Sequence, residues 1–263
     1  MSGHGDSLVV RRDGPALRVT LDRAERHNAV DDRLVADLTS ALEGAAGDPA
    51  VRCLVLAANG RSFSAGADLA WMRRMGDAPP EDAAADALAL ARLYRVLDRL
   101  PVPTVALVQG GAHGGGVGLV AACDVAIAVE DAAFSLPEVR LGLVPAVISP
   151  YLVAAVGARQ ARRLTLTGER ITAREAARLG LVHRVVPDAD ALEREGAAVV
   201  ADLARGAPAA LAAAKDLFRA VAPVDDALVA DTARRLAEAR SSPEGREGVR
   251  AFLERRTPPW QEG

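Results

Sequence analysis

The stretch Pro103–Ala128, PTVALVQGGAHGGGVGLVAACDVAIA, decides how the rest of the chain is read. Apart from any charge on His113, no charged side chain occurs between Pro101 and Cys123, a run long enough to cross a bilayer. It also carries two prolines and six glycines, among them Gly110-Gly111 and Gly114-Gly115-Gly116. Glycine and proline weaken a helix interior by about 1 and 3 kcal/mol per residue, so no membrane span is expected. The run reads instead as a buried strand (104–108), a glycine-rich loop and a short buried helix (117–123), with a further strand at 125–129.

Outward from this stretch the same alternation continues. Upstream, VRCLVLA (51–57) is a buried strand, Asn59-Gly60 a turn, residues 61–68 a loop, 68–75 a short helix and 81–99 a longer one stopped by Pro101 and Pro103. Residues 8–10 and 16–21 flank Asp13-Gly14-Pro15 as a hairpin. Asp31-Asp32 open a helix with Val35, Leu38, Leu42 and Ala45 on one face. Downstream, 182–185 is a last short strand. Residues 188–254 are helical in pattern, interrupted at Pro208, Pro223 and Pro243. The expected fold class is α/β, with helices covering a sheet over 1–187 and a C-terminal helical region over 188–263.

Composition narrows the function. Of 263 residues, 50% are hydrophobic and 25% charged, an ordinary globular balance. Only 3% are aromatic and the net charge is −3, so neither a base-stacking platform nor a phosphate-neutralising stripe is available, and no nucleic-acid partner is expected. The cations are nearly all arginine; Lys215 is the only lysine. Cys53 and Cys123 are too few for a disulfide framework or a cysteine zinc site, and both lie in apolar runs. The opening residues MSGHGDSLVVRRDG show no apolar core of a secretory signal, and a cytoplasmic setting is expected.

Three features could carry chemistry. The glycines 114–118 stand between a strand and a helix. Gly116-Val117-Gly118-Leu119-Val120-Ala121 fits a dinucleotide fingerprint, but the acid Glu130 follows Gly116 by only 14 positions, where about 20 are expected. The same glycines at a helix start present unpaired N–H groups to an anion or a developing oxyanion. They also suit a plain packing turn against a strand. Residues 62–69, SFSAGADL, follow the buried strand at the end where α/β folds place ligands, and read equally as a surface loop. Glu138, in FSLPEV (134–139), lies among apolar residues. Desolvation there would raise its pKa and suit proton transfer, although a Glu after Pro is also an ordinary helix-start residue. His4, His27, His113 and His183 show no helical metal-binding pair, and Ser64, Ser135 and Ser149 form no nucleophile elbow, so neither a metal centre nor a serine hydrolase is expected.

Taken together, FSAGADL (63–69), the 103–128 stretch, FSLPEVRLGLVP (134–145), LTLTGERITAREAARLGLVHRVV (164–186) and EGREGVRAFLERR (244–256) resemble the enoyl-CoA hydratase/isomerase (crotonase) superfamily, from Asn28-Ala29 to Phe252. SAGADLAWMRRM (64–75) and LGLVPAVISPYLVAAVG (141–157) look most like the bacterial methylglutaconyl-CoA hydratases of leucine breakdown, and are similar to the isohexenylglutaconyl-CoA hydratases of acyclic terpene breakdown. The resemblance implies a crotonase (ClpP-like) spiral of ββα units with a C-terminal helical region, assembled as a homotrimer or a dimer of trimers. It implies an acyl-CoA thioester as substrate and no cofactor besides. The backbone N–H groups of Ala67 and Gly115 would form the oxyanion hole, and Glu138 would be the acid/base. Ala65 would meet the adenine of CoA, and Arg26 would approach its phosphates. Phe252 and Arg255 would close the CoA site, often from a neighbouring subunit. Gly66, Asp68, Leu69, Gly114 and Pro137 fall in the same substrate-binding motifs. Trp71, Met72 and Met75 lie near one helix face, as core or, for Trp71, as a wall of the acyl pocket.

Two departures stand out. Two-carboxylate hydratases of this superfamily carry a second Glu two residues beyond the glycine triplet, where this chain has Gly118. The usual P-G-x-G-G after the Glu138 segment is replaced by Pro145-Ala146-Val147-Ile148-Ser149. A site with one Glu also resembles the enoyl-CoA isomerases, so a double-bond isomerase is the alternative activity. A non-catalytic CoA-binding or scaffold protein is the alternative of another class.

Overall fold

The structure is a computed structural model and describes residues 7–221 and 225–258. His4 and Pro223 lie outside the described residues. The expected hairpin forms from Leu8–Asp13 (β1) and Ala16–Leu21 (β2), antiparallel from Leu8↔Leu21 to Asp13↔Ala16. A 3₁₀ turn follows at Ala24–Arg26. Asp31 caps the first helix, Asp32–Gly47 (α1), its Oδ1 accepting from Leu34 N at 2.8 Å. The apolar face of α1 buries Leu34, Val35, Leu38, Leu42 and Ala45, each leucine contributing roughly 1.5–3 kcal/mol.

Three strand–strand–helix turns come next. Cys53–Ala58 (β3), Ser62–Ser64 (β4), Leu69–Gly76 (α2) and Pro80–Asp98 (α3) make the first. Thr104–Val108 (β5), Gly111–His113 (β6) and Gly115–Ala121 (α4) make the second. Val125–Val129 (β7), Ala133–Ser135 (β8), a 3₁₀ turn at Glu138–Leu141 and Ser149–Thr167 (α5, broken at Gly157) make the third. Arg170–Thr172 (β9), Ala173–Leu179 (α6) and Arg184–Val186 (β10) follow, then Ala189–Ala204 (α7), Pro208–Val221 (α8), Asp226–Ser241 (α9) and Pro243–Leu253 (α10). The first strand of each turn enters a six-stranded sheet of order β1-β2-β3-β5-β7-β10, parallel except at β1/β2. The second enters a four-stranded sheet, β4-β6-β8-β9. This is the expected α/β spiral of ββα units with a helical C-terminal region.

The differences from the sequence reading are local. Residues 61–68 contain β4, and the stretch ahead of the glycine triplet contains β6; neither was expected as a strand. A three-residue strand is too short to show a period of two, and these exist because neighbouring turns align them, Ser62↔Gly111 and Ala112↔Phe134. Helix α4 runs over 115–121, starting inside the glycines. The last strand starts at Arg184, because the N–H groups of Leu181 and Val182 donate to Ala176 O in α6 and are not free to join the sheet. Pro208 and Pro243 stand at the first position of α8 and α10, where a missing N–H is harmless.

Helix α7 lies across β3, β5, β7 and β10 and buries Leu192 and Val199. Helix α9 packs along α3, and α10 against α2 and the Glu138–Leu141 turn. Among the described residues no single helix is long and apolar enough to cross a membrane. One pair, α7 with α8, has the length and composition together but bends by 102°. Of the strand–loop–helix reading of 101–123, the strand holds as β5 and the helix as α4, while the loop between them contains β6.

Candidate active site

The site is built where the second strands end. Asn28 is fully buried and bonds outward in three directions. Its Oδ1 accepts from Arg23 N at 2.8 Å, and its Nδ2 donates to Asn59 O at 2.8 Å and Ser62 O at 2.9 Å. Ser64 Oγ donates to Asn28 O at 2.9 Å. These bonds fix the end of β4 and the loop 65–67 beyond it. Val30 bridges this loop, its N–H donating to Gly66 O and its carbonyl accepting from Asp68 N. That ladder uses the groups either side of Ala67 and turns the Ala67 N–H away from Val30. Gly115 is the first residue of α4, so its N–H has no intrahelical acceptor.

The two loops meet above a carboxylate. Gly114 has φ of 49°, and a Cβ placed on it would stand 3.0 Å from Glu138 Oε1 and 3.9 Å from Gly66 Cα. Only glycine allows both the left-handed turn and the close approach. Glu138 opens the 3₁₀ turn after β8, and its Oε2 is buried without a hydrogen-bond partner among the described residues. Burial pushes the Glu138 carboxyl up to about 7, only partly offset by a backbone hydrogen bond. A buried, unpartnered carboxyl that titrates near neutrality is a group poised to move protons.

Two cavities join at Ala67, Met72, Gly115, Glu138 and Leu143. The outer cleft, about 660 Å³, is lined by Ala65, Gly66, Leu69, Gly114, Pro137, Phe252 and Arg255 of those expected from sequence. Phe252 and Arg255 reach it from the chain's own α10 and the residues after it. The inner cavity, about 70 Å³, is walled by Trp71, Tyr94, Ile148 and Arg240 among others. Trp71 is 1% exposed, so it is both core and cavity wall. Two expected substrate contacts line neither cavity. Asp68 caps α2, accepting from Ala70 N at 2.9 Å and Trp71 N at 3.2 Å. Arg26 is largely exposed and lies 3.6 Å from Asp68, turned to the surface by that pairing. His113 also lies outside the lining; its Nδ1 is 2.8 Å from Ser135 Oγ.

Sequence reading missed Tyr94 and Arg240. Tyr94 is buried, and its hydroxyl donates to Gly115 O at 2.9 Å, which steadies the start of α4. The apolar spacing of α3 marks Tyr94 as core but gives no sign that its hydroxyl faces the site. At the place of the absent second Glu, a Cβ on Gly118 would lie 2.3 Å from Ile148 Cγ2 and 2.9 Å from Tyr94 Cε1. Those side chains fill the space a second carboxylate would occupy.

The model of the enoyl-CoA hydratase/isomerase family matches residues 13–263. The chain belongs to the enoyl-CoA hydratase/isomerase family. As such it is an enzyme. The 2,3-dehydroadipyl-CoA hydratase of Escherichia coli (strain K12) is 38% identical over 255 residues, covering 95% of this chain and 97% of that one. The crystal structure of an enoyl-CoA hydratase from Shewanella pealeana ATCC 700345 is 41% identical with a TM-score of 0.80, covering 97% of this chain and 96% of that one. That of an enoyl-CoA hydratase from Mycobacterium avium is 37% identical with a TM-score of 0.86, covering 97% and 99%. The hydratase/isomerase fold thus extends over nearly the whole chain.

Proposed function

We propose that this enzyme is an enoyl-CoA hydratase that adds water across the α,β double bond of an acyl-CoA thioester, with a branched or glutaconyl-type acyl group. Methylglutaconyl-CoA of leucine breakdown and isohexenylglutaconyl-CoA of acyclic terpene breakdown are the types in view. The observation that carries the reading is Glu138: a buried carboxyl with a free oxygen, at the junction of two cavities that Ala67 and Gly115 also line. In this reading the thioester oxygen sits on the N–H groups of Ala67 and Gly115. Ionised Glu138 takes a proton from water as the hydroxide adds to Cβ. The resulting enolate is held by the two N–H donors, one of which is typically worth about 100- to 1000-fold in rate. Glu138 then returns its proton to Cα, so one carboxyl closes the cycle. Acyl-CoA is the substrate, and no other cofactor enters the scheme.

A second reading, double-bond isomerisation, is favoured by one specific observation. Ile148 and Tyr94 crowd Gly118, so Glu138 works without a second acid, and one group moving a proton between two carbons suffices for that reaction. Assaying crotonyl-CoA, 3-methylglutaconyl-CoA and 3-enoyl-CoA substrates in both modes separates the two. Hydration is expected. Isomerisation without hydration would replace the first reading with the second, and turnover in neither mode would remove both. We further propose a cytoplasmic setting and assembly as a homotrimer or dimer of trimers, the assembly supported by the exposed Leu217 and Phe218 on α8.

A further inference from the structure

The inner cavity ends on a charge for which hydration has no use. Arg240, on α9, is 5% exposed and lines that cavity beside Trp71. Its guanidinium carbon lies 4.8 Å from the Trp71 ring centre. Its Nη1 donates to Asp86 Oδ2 at 2.6 Å, and the other carboxylate oxygen, Oδ1, accepts from Trp71 Nε1 at 2.8 Å. Asp86 therefore has both oxygens engaged. The guanidinium carries five N–H donors, and among the described residues Asp86 is its only hydrogen-bond partner.

Taking a cation out of water costs several kcal/mol unless it is paired and hydrogen-bonded. Much of the remaining wall is hydrocarbon: Val30, Met72, Leu90, Leu143 and Leu236. An alkyl tail would gain nothing from a guanidinium at that place. A carboxylate would, because the planar fork matches its two oxygens. Glu138 and Arg240 line one cavity of about 70 Å³, so a chain of few carbons reaches from one to the other. Trp71 on one face and Asp86 at one edge hold the guanidinium rigid before a ligand arrives, which lowers the ordering cost of binding.

We propose that Arg240, held by Asp86 and Trp71, is a subsite for a carboxylate at the far end of the acyl chain, so that short dicarboxylic enoyl-CoA thioesters are the preferred substrates. This rests on the reading of the cleft as an enoyl-CoA site. The test compares matched pairs on the intact wild-type enzyme: glutaconyl-CoA against 2-pentenoyl-CoA, and 2,3-dehydroadipyl-CoA against 2-hexenoyl-CoA. A tenfold or larger preference in kcat/KM for the dicarboxylic member is expected in at least one pair. A smaller ratio in both pairs overturns the subsite while leaving hydration intact.

Calorimetric binding of glutaryl-CoA against pentanoyl-CoA, and of adipyl-CoA against hexanoyl-CoA, reads the subsite without turnover. A tenfold tighter dicarboxylic member supports it even if no enoyl-CoA is hydrated, in which case only the hydratase reading falls; equal affinities overturn it. In Arg240→Gln the kcat/KM ratio is expected to drop toward one, whereas in Arg240→Lys, which keeps the charge, a preference persists. A clamp that only joins α2, α3 and α9 would lower the melting temperature in both variants and leave the ratio where it was. If Arg240→Gln does not fold, the wild-type binding pairs decide.

Discussion

At Glu138, activity and stability pull in opposite directions. The folded carboxyl keeps its proton up to about pH 7, whereas an ordinary unfolded glutamate releases it near 4.5. Between those values the folded chain binds more protons, so its stability falls as pH rises through 7, by up to about 3 kcal/mol. Glu138→Gln removes that penalty. Its melting temperature is expected to exceed that of the wild type at pH 8 and to match it at pH 4, read by calorimetry. The same substitution is expected to cost about 100-fold or more in turnover with little change in CoA affinity. Unchanged turnover would remove Glu138 from the chemistry. In the proposed cycle the ionised form starts the reaction, so kcat/KM of the wild type should fall about tenfold per pH unit below 7. A flat profile from pH 5 to 8 would assign the proton transfer to another group. Asp68 makes the opposite case. It caps α2, so Asp68→Ala should cost about 1 kcal/mol of stability and leave the KM for acyl-CoA unchanged; a several-fold rise in KM would return Asp68 to the binding site.

At the scale of the element, α4 decides what chemistry can be installed. Its Gly118 lies against Ile148 and Tyr94 too closely for a Cβ. Gly118→Glu is therefore expected to lower stability by several kcal/mol and to lower hydration; a folded variant with faster hydration of crotonyl-CoA would show that the pocket yields. The sequence stops short of this point for a physical reason. A glycine is visible in the sequence, but its neighbour is not: Ile148 lies 30 positions away and arrives through the turn after Glu138. The long elements were legible because they bury a periodic face, as α1 does with Leu34, Leu38 and Leu42, or because they run apolar, as β3, β5 and β7 do. The strands β4 and β6 were not, having three residues each and no period to show. Glu138, Ala67 and Gly115 were legible as a set through family resemblance, and physics alone left each with a plain structural alternative. Arg240 was not legible: its partner Asp86 is 154 positions away, and only the packing of α9 on α3 joins them.

On the whole molecule, the surface of α8 is the feature a lone chain leaves unexplained. Phe218 is 71% exposed and Leu217 60% exposed on that helix. Sedimentation equilibrium is expected to give a trimer or hexamer, and Phe218→Asp to shift it toward smaller species; a stable, active wild-type monomer would remove the assembly proposal. The outer cleft is lined by Phe252 and Arg255 of the same chain. Those residues arrive on α10 and just after it, and α10 lies so near the turn carrying Glu138 that a Cβ on Gly248 would stand 2.3 Å from Leu141 O. The cleft wall and the turn carrying Glu138 are thus mounted on one another. Descent should reflect this: the last helix and the 138–143 turn can change only together, so a chimaera that takes its C-terminal helices from a relative should work only when it takes that relative's turn as well.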